Sequence, residues 1–429
     1  MSQLSVLAFV MVGCFMTLIM TRRASPMVAL ILVPTGFAIA AGFGAGVGDM
    51  MLEGVRTLAP TGVMLLFAIL YFGLMIDAGL FEPLIGAIVR VAGTDPLRVL
   101  VGTALLALLV SLDGDGTTTY MITIAAFLPL YERLGMDRLK LTCIVIMASA
   151  VMNLLPWGGP TARAAIALKL DPTALFQALL PSMGVLVLWV VFVAWIFGRM
   201  ERRRLGWVRG DATAEAMLAP APRRASGALS IFNLLLTLAL MAALITGVLP
   251  IPILFMLAFA IALLVNRPTL QAQRDQIAAH AGNALAVVGV IFAAGVFTGI
   301  LSGTRMVDAM AASVTTAVSP ALGPYLAPIT AVLSIPFTFF ISNDAFYFGV
   351  LPILAKSAAT YGISAKALAC ASLVGQQVHL LSPLVPSTYL LVGLAGVELG
   401  DHQRFTLRWA LGSALVMAVV LAATGLMIG

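Results

Sequence analysis

Charge is scarce in this sequence: Asp, Glu, Lys and Arg together make up 10% of its 429 residues, against 61% apolar ones. That excludes a water-soluble fold of this size, whose surface would carry roughly a quarter to a third charged residues. Cysteine is nearly absent as well. Cys14, Cys143 and Cys370 stand alone inside apolar runs, which excludes a disulfide framework and a cysteine metal cluster and leaves them as small buried hydrophobes. Alternating strand patterns are lacking, so a transmembrane β-barrel is excluded. No basic residue precedes Met11-Val-Gly-Cys14, and Arg22-Arg23 follows it. Residues 4–20 are therefore expected to form an uncleaved first span, not a signal peptide.

What the sequence does have is long apolar runs, with a mean hydropathy of +1.08. A helix needs about 20 apolar residues to cross the hydrocarbon. Spans are expected near 4–20, 27–45, 62–80, 139–177 with an interruption, 179–198, 230–248, 251–265, 284–301, 367–397 with an interruption, and 409–427. The fold class is thus an all-α polytopic protein of the lipid bilayer. Residues 199–228, rich in Arg, Ala and Pro, are expected to form an exposed linker.

The parts on either side of this linker, 1–198 and 229–429, resemble each other. Phe67-Ala-Ile-Leu-Tyr-Phe72 matches Phe292-Ala-Ala-Gly-Val-Phe297, and Asp113-Gly-Asp115 falls where Ser342-Asn-Asp344 falls. Phe127-Leu-Pro129 matches Val350-Leu-Pro352, and Asn153-Leu-Leu-Pro-Trp-Gly-Gly-Pro-Thr161 matches His379-Leu-Leu-Ser-Pro-Leu-Val-Pro-Ser387. All four keep nearly one offset, which points to an internal repeat. Five spans per half is an odd number, so the second half must insert upside down. The expectation is two inverted repeats of five transmembrane helices. Each half also holds two apolar pieces that are short for a crossing, 97–112 and 118–131, then 326–341 and 345–358. These predict a re-entrant hairpin beside an interrupted helix in each half.

Charge orients this topology. With both termini extracytoplasmic and the linker cytoplasmic, 18 of the 24 Lys and Arg residues lie inside. The excess of basic residues over acids therefore reports orientation and calls for no nucleic-acid partner.

Chemistry is concentrated in Ser111-Leu-Asp-Gly-Asp-Gly-Thr-Thr-Thr-Tyr120, where two acids, two glycines and several hydroxyls sit between apolar runs. Ionisable groups at bilayer depth are costly and mark substrate or ion paths. The piece ending at Leu112 presents free carbonyls and a negative dipole end, which Asp113 and Asp115 reinforce, so this is a cation site. From Thr117 and Thr118 onward, free amides and hydroxyls suit a carboxylate or phosphate. Ser342-Asn343-Asp344 repeats the arrangement with one acid. Capping of the following half-helix is the alternative role for all three aspartates.

The interruption Leu155-Pro-Trp-Gly-Gly-Pro-Thr161 cannot be continuous helix. Pro160 suits the first turn of a new half-helix, with Gly159, Thr161 and Arg163 beside its amides. Arg163 reads either as a carboxylate clamp or as a snorkelling arginine. Pro386-Ser387-Thr388 is the counterpart without the arginine. His379, opposite Asn153 in the repeat, reads as a proton or ligand group or as a hydrogen-bonded core residue. Asp77 and Glu82 read as interfacial.

Five stretches resemble the citrate-metal:proton symporter family, CitMHS, within the ion-transporter superfamily. They are Phe67-Ala-Ile-Leu-Tyr-Phe-Gly-Leu-Met-Ile-Asp-Ala-Gly-Leu-Phe81, Leu112-Asp-Gly-Asp-Gly-Thr-Thr-Thr-Tyr-Met121, Pro156-Trp-Gly-Gly-Pro-Thr161, Ser342-Asn-Asp-Ala-Phe-Tyr-Phe-Gly349 and His379-Leu-Leu-Ser-Pro-Leu-Val-Pro-Ser-Thr-Tyr389. The resemblance implies a bacterial inner (cell) membrane protein, not an enzyme, that imports citrate as a complex with a divalent cation in symport with protons. It also implies a homodimer with a scaffold and an elevator-type transport domain. No permanent cofactor is implied, and Mg2+, Ca2+ or a similar ion enters as part of the substrate.

In this reading Thr117, Thr118, Asn153, Gly159, Thr161, Arg163, Ser342, Asn343, Ser387 and Thr388 surround the substrate. Asp113, Asp115, Asp344 and His379 couple protons or cations, with Asp113 and Asp115 meeting the metal through metal-citrate. The two close acids are expected to titrate together. More distant sodium-coupled dicarboxylate carriers carry Ser-Asn-Thr at both tips, and this sequence departs from that at both. A sodium-coupled di- or tricarboxylate carrier and a cation/proton antiporter remain the alternatives. An intramembrane aspartyl protease lacks the Gly-x-Gly-Asp context, since Leu112 occupies the first glycine position.

Overall fold

The structure, a computed structural model, describes residues 3–21, 23–114, 116–207, 227–246, 248–317 and 321–427, and every regular element among them is helical. Asp115 and the body of the expected linker, 208–226, lie outside the described residues. Helix starts follow local chemistry. Ser25, Asp95 and Asp171 each precede a proline at the first helical position, and each side chain accepts an amide hydrogen from the first turn. Asp137 and Ser364 cap the Arg138–Met152 and Ala365–Ser372 helices in the same way.

Among the described residues, seven helices are long and apolar enough to cross a membrane: Gly44–Asp77, Pro96–Asp113, Pro172–Arg204, Gly227–Leu244, Ala284–Gly303, Gly323–Phe340 and Leu399–Ala423. Gln3–Ile19, Pro26–Ala40 and Ile251–Asn266 are apolar but shorter, and the two interrupted helices are divided into pieces. Several boundaries differ from expectation. The expected 62–80 span is the second part of a 31-residue helix, Val47–Asp77, whose first turns carry the exposed Asp49, Glu53 and Arg56. Likewise 284–301 lies within Leu270–Gly303, a 34-residue helix that begins in polar sequence. Hydropathy locates only the apolar part of such a helix, because its solvated turns look like loop.

The expected linker start at 199 is helical. Pro172–Arg204 carries its last turns past the apolar run because its arginines find partners. Arg202 Nε donates to Asp95 Oδ1 at 2.7 Å, and the buried Lys140 and the exposed Arg204 both hold the fully buried Glu201. Burial pushes the Asp95 carboxyl up, but hydrogen bonds from Arg202 and the Leu97 amide, with the charges of Arg202 and Arg98, hold it below the usual carboxylate range. Two short helices, Glu82–Ala92 and Met306–Ala317, were not anticipated. Asp77, expected at the interface, accepts hydrogen bonds from Gln276 Nε2 at 2.6 Å and from the His280 ring at 2.7 Å.

The helices pack as two groups. In one, Leu270–Gly303 runs along Val47–Asp77, flanked by Pro26–Ala40 and Ile251–Asn266. Backbone meets backbone there. A Cβ added to Gly54 would lie 1.9 Å from the Gly295 carbonyl oxygen, and one on Gly299 would lie 2.2 Å from that of Met50. Small residues are what permit so close a helix approach inside a membrane. The second group gathers Pro96–Val110, Gly116–Leu134, Arg138–Met152, Pro172–Arg204 and Leu399–Ala423, with Leu326–Phe340 packed on Ala365–Ser372 and the turns that follow it.

Pro96–Asp113 and Gly323–Phe340 each reach 18 residues once their 3-10 turns are counted. At about 1.5 Å per residue that approaches the hydrocarbon thickness, so length alone does not separate a re-entrant arm from a crossing. The mark of both is the abrupt turn at the end. Gly54→Val is expected to cost about 1–3 kcal/mol by overpacking, seen as a lower thermal midpoint in detergent. Gly282→Ala, at a helical glycine with open space around it, should leave the midpoint unchanged or slightly raised.

Candidate functional site

The first tip begins where the Pro96–Val110 helix tightens into a 3-10 turn, Ser111–Asp113. Gly114 follows at φ 76°, a left-handed conformation open to glycine, and its amide closes the turn onto the Ser111 carbonyl at 3.1 Å. Ser111 is buried, with its Oγ 3.0 Å from Thr119 Oγ1 and 3.2 Å from Ser149 Oγ. Asp113, Thr117 and Thr118 are half-buried at this tip and have partners within the protein.

The second tip is built differently. Ile341 is extended, and Ser342 Oγ accepts the Ala345 amide at 3.2 Å. Capping here is done by Ser342, which frees Asp344 for another role. Asp344 Oδ1 instead accepts from Arg163 Nε at 2.7 Å, with side-chain exposures of 12% and 24%. Asn343 Oδ1 accepts from Gln376 Nε2 at 3.0 Å, and the same amide nitrogen reaches the Tyr347 hydroxyl at 3.0 Å. A π turn, Ala345–Val350, leads into Leu351–Ala359. Such turns are rare and concentrate at functional places.

The interruptions fall where expected. The first helix stops at Met152, turns through 153–158 and restarts as Gly159–Ala167. A Cβ on Gly158 would lie 2.2 Å from the Asn153 carbonyl oxygen, so only glycine fits at that point. The second stops at His379 and restarts as Pro386–Ala395. Across each break a threonine hydroxyl donates to a carbonyl eight residues back: Thr161 to Asn153 at 3.1 Å, and Thr388 to Leu380. Both threonines are 0% exposed. They were expected beside substrate; in the structure their hydroxyls tie together the two pieces of each broken helix.

A second bond pins each tip to its neighbouring break. Trp157 Nε1 donates to the Leu112 carbonyl at 2.8 Å, and Ser382 Oγ donates to the Phe339 carbonyl at 2.6 Å. Thr388, Leu380 and Phe339 lie the same 227 positions after Thr161, Asn153 and Leu112. The contacts therefore recur at corresponding places, with threonine at both breaks and Trp157 and Ser382 at the tips. His379, one of the expected coupling groups, is buried with Nδ1 2.6 Å from the Thr338 carbonyl. A carbonyl only accepts, so Nδ1 carries the proton there.

The second halves cross over. Gly159–Ala167 packs on the second tip's Ala345–Val350, and Pro386–Ala395 packs on Gly116–Leu134 of the first hairpin. Arg163 is thereby brought to Asp344. The Asn153 side chain is half-buried and has no hydrogen-bond partner among the described residues, and Ser387 is half-exposed. Among the described residues no three His, Cys, Asp or Glu side chains gather as a metal-ion group. Gln376, Tyr347, Trp157 and Ser382 are contributors that the sequence reading gave no role. Trp157→Phe keeps the ring but orphans the Leu112 carbonyl, a loss of about 1–3 kcal/mol if buried. Hydrogen–deuterium exchange should rise around residues 111–116, and Ser382→Ala should do the same around 339–344.

Comparison with known proteins agrees with this geometry. The sequence profile of the CitMHS family, described as citrate transporter, matches residues 6–375. A citrate transporter of Bacillus subtilis (strain 168) is 59% identical over 423 residues, covering 99% of both chains. A Mg(2+)/citrate complex secondary transporter of the same organism is 49% identical over 421 residues, covering 97% of each. The fold is shared with two solved transporters. The Alcanivorax borkumensis YdaH transporter has a TM-score of 0.57 at 16% identity, covering 91% of this chain and 90% of that one. Neisseria gonorrhoeae MtrF has 0.62 at 13% identity, covering 91% and 86%. With its profile match over most of the chain, and with relatives of near-equal length, this multi-pass membrane protein belongs to the citrate transporter family.

Proposed function

We propose that this protein is a secondary active transporter that imports citrate as a divalent-metal complex in symport with protons. The observation that carries the reading is the meeting of Arg163 and Asp344, opposite charges at the point where a broken helix from one half reaches the hairpin tip of the other. A metal carboxylate needs cation and anion partners side by side, and a guanidinium next to a helix amino terminus is a strong carboxylate partner. The names of the two Bacillus subtilis relatives support the same cargo.

The two halves form inverted repeats, a reading supported by the paired contacts whose accepting carbonyls keep a spacing of 227. Domain limits follow at 1–198, 199–228 and 229–429, and the protein works as a homodimer in the bacterial inner membrane with both termini outside. The long-helix group around Val47–Asp77 and Leu270–Gly303 is the scaffold, and the group bearing the tips and breaks is the domain that moves. Asn153, Gly159, Arg163, Ser387 and the Thr117–Thr118 end of the first hairpin face the cargo carboxylates. Asp113 and Asp115 supply the negative charge for the metal and the coupled protons, with Asp344 and His379 close to the anion side.

Purified protein in liposomes should take up labelled citrate in the presence of Mg2+ or Ca2+, and an inward proton gradient should drive accumulation. Arg163→Ala should weaken apparent affinity by roughly ten- to a hundredfold, the loss of one charge-assisted hydrogen-bond pair. Uptake that responds to sodium and ignores the proton gradient would replace proton coupling, and no citrate uptake under any cation would sink the proposal.

A further inference from the structure

Asp344 does more than border the site. Its neighbour Ser342 has taken the capping role, so the carboxylate is not needed to close the helix. It spends itself on Arg163, and each is the other's only salt-bridge partner among the described residues. Arg163 in turn passes close to the start of its own half-helix. A Cβ added at Gly159 would come 2.8 Å from Nη1, so a bare backbone at that position leaves room for the guanidinium. Both side chains are largely buried yet retain some exposure, 24% for Arg163 and 12% for Asp344.

The chain's own carboxylate thus engages the guanidinium through Nε. Arginine presents a planar fork of donors that a carboxylate matches with two parallel bonds. An incoming carboxylate that takes the edge of this fork that includes Nε competes with Asp344. If the newcomer is a free polycarboxylate, the displaced Asp344 is left as an anion beside another anion, in a medium of reduced dielectric where such repulsion is strong. If the newcomer carries a divalent cation, Asp344 has somewhere to go. A carboxylate oxygen is a natural ligand for a hard cation such as Mg2+ or Ca2+.

We propose that Asp344 makes this site select a cation-complexed polycarboxylate over the free anion: it holds Arg163 in the empty protein and passes to the cargo's cation when a cargo carboxylate takes the guanidinium. The proposal rests on the citrate reading above. It assigns the metal preference to the second tip, where the chain places one acid next to one arginine, and not to the paired acids of the first tip alone.

The test is calorimetric titration of the purified full-length protein in detergent with citrate in chelator-treated buffer, and again with saturating Mg2+. Wild-type protein should bind Mg-citrate at least about tenfold more tightly than free citrate. In Asp344→Asn that ratio should fall to within about threefold, chiefly because free citrate binds more tightly once its internal competitor is neutral. A tether between tip and break would behave otherwise, weakening both forms alike, and that outcome or an unchanged ratio overturns the proposal. Asp344→Glu keeps the charge and covers the case of an unstable Asn variant. It should keep the preference for the complex while shifting the Mg2+ to Ca2+ ratio by about threefold or more, since the carboxylate reaches further. An unshifted ratio there also overturns it. Wild-type protein that binds neither form removes the citrate reading itself and this proposal with it, whereas citrate binding with unaltered discrimination in the variants removes this proposal alone.

Discussion

Backbone groups freed inside an apolar medium must find partners within the protein, and that constraint governs the centre of this molecule. Two broken helices and two hairpin tips expose carbonyls and amides that no bilayer can satisfy. The chain answers each locally. Thr161 and Thr388 bridge their breaks, Trp157 and Ser382 reach the last carbonyls of the neighbouring hairpin arms, and Ser342 closes the second tip. Irregular backbone is tolerated because these side chains complete it, and a polar site can then exist where a continuous helix would have offered only apolar surface.

Charge obeys the same rule at higher stakes. An isolated carboxylate or guanidinium in an apolar medium would be costly, and pairing lowers the cost. Arg163 and Asp344 meet because Gly159–Ala167 crosses to the second hairpin. The pair is thus a product of topology: its two members are 181 residues apart in sequence and belong to different halves. A pair that is only partly enclosed is also one that a ligand can open. Elsewhere ion pairs do plainer work. Lys140, Glu201 and Arg204 fasten the end of the Pro172–Arg204 helix beside the first hairpin, while Gly54, Gly295 and Gly299 let Val47–Asp77 and Leu270–Gly303 touch backbone to backbone.

The sequence by itself determined the class and the places where helices break. Apolar runs with little charge required membrane helices, and the match of Asn153–Thr161 with His379–Ser387 located both breaks within a residue or two of where they fall. Proline and glycine forbid continuous helix wherever they stand, so such interruptions are local facts. Helix ends in polar sequence were less legible. The first turns of Val47–Asp77 and the last turns of Pro172–Arg204 are helical through solvated charges or distant partners that hydropathy does not register.

Only the tertiary structure decided which polar groups are spent on the fold and which face the site. Thr161 and Thr388 read as ligands in sequence, yet burial and a carbonyl eight residues back claim their hydroxyls. Gln376 reads as nothing in particular, yet it holds the second tip through Asn343 and Tyr347. Asp344 could have been a cap, but Ser342 is the cap and Asp344 is the partner of Arg163. The physical reason is common to all three. A side chain's hydrogen-bonding capacity is local, whereas the partner that uses it is set by how distant helices cross.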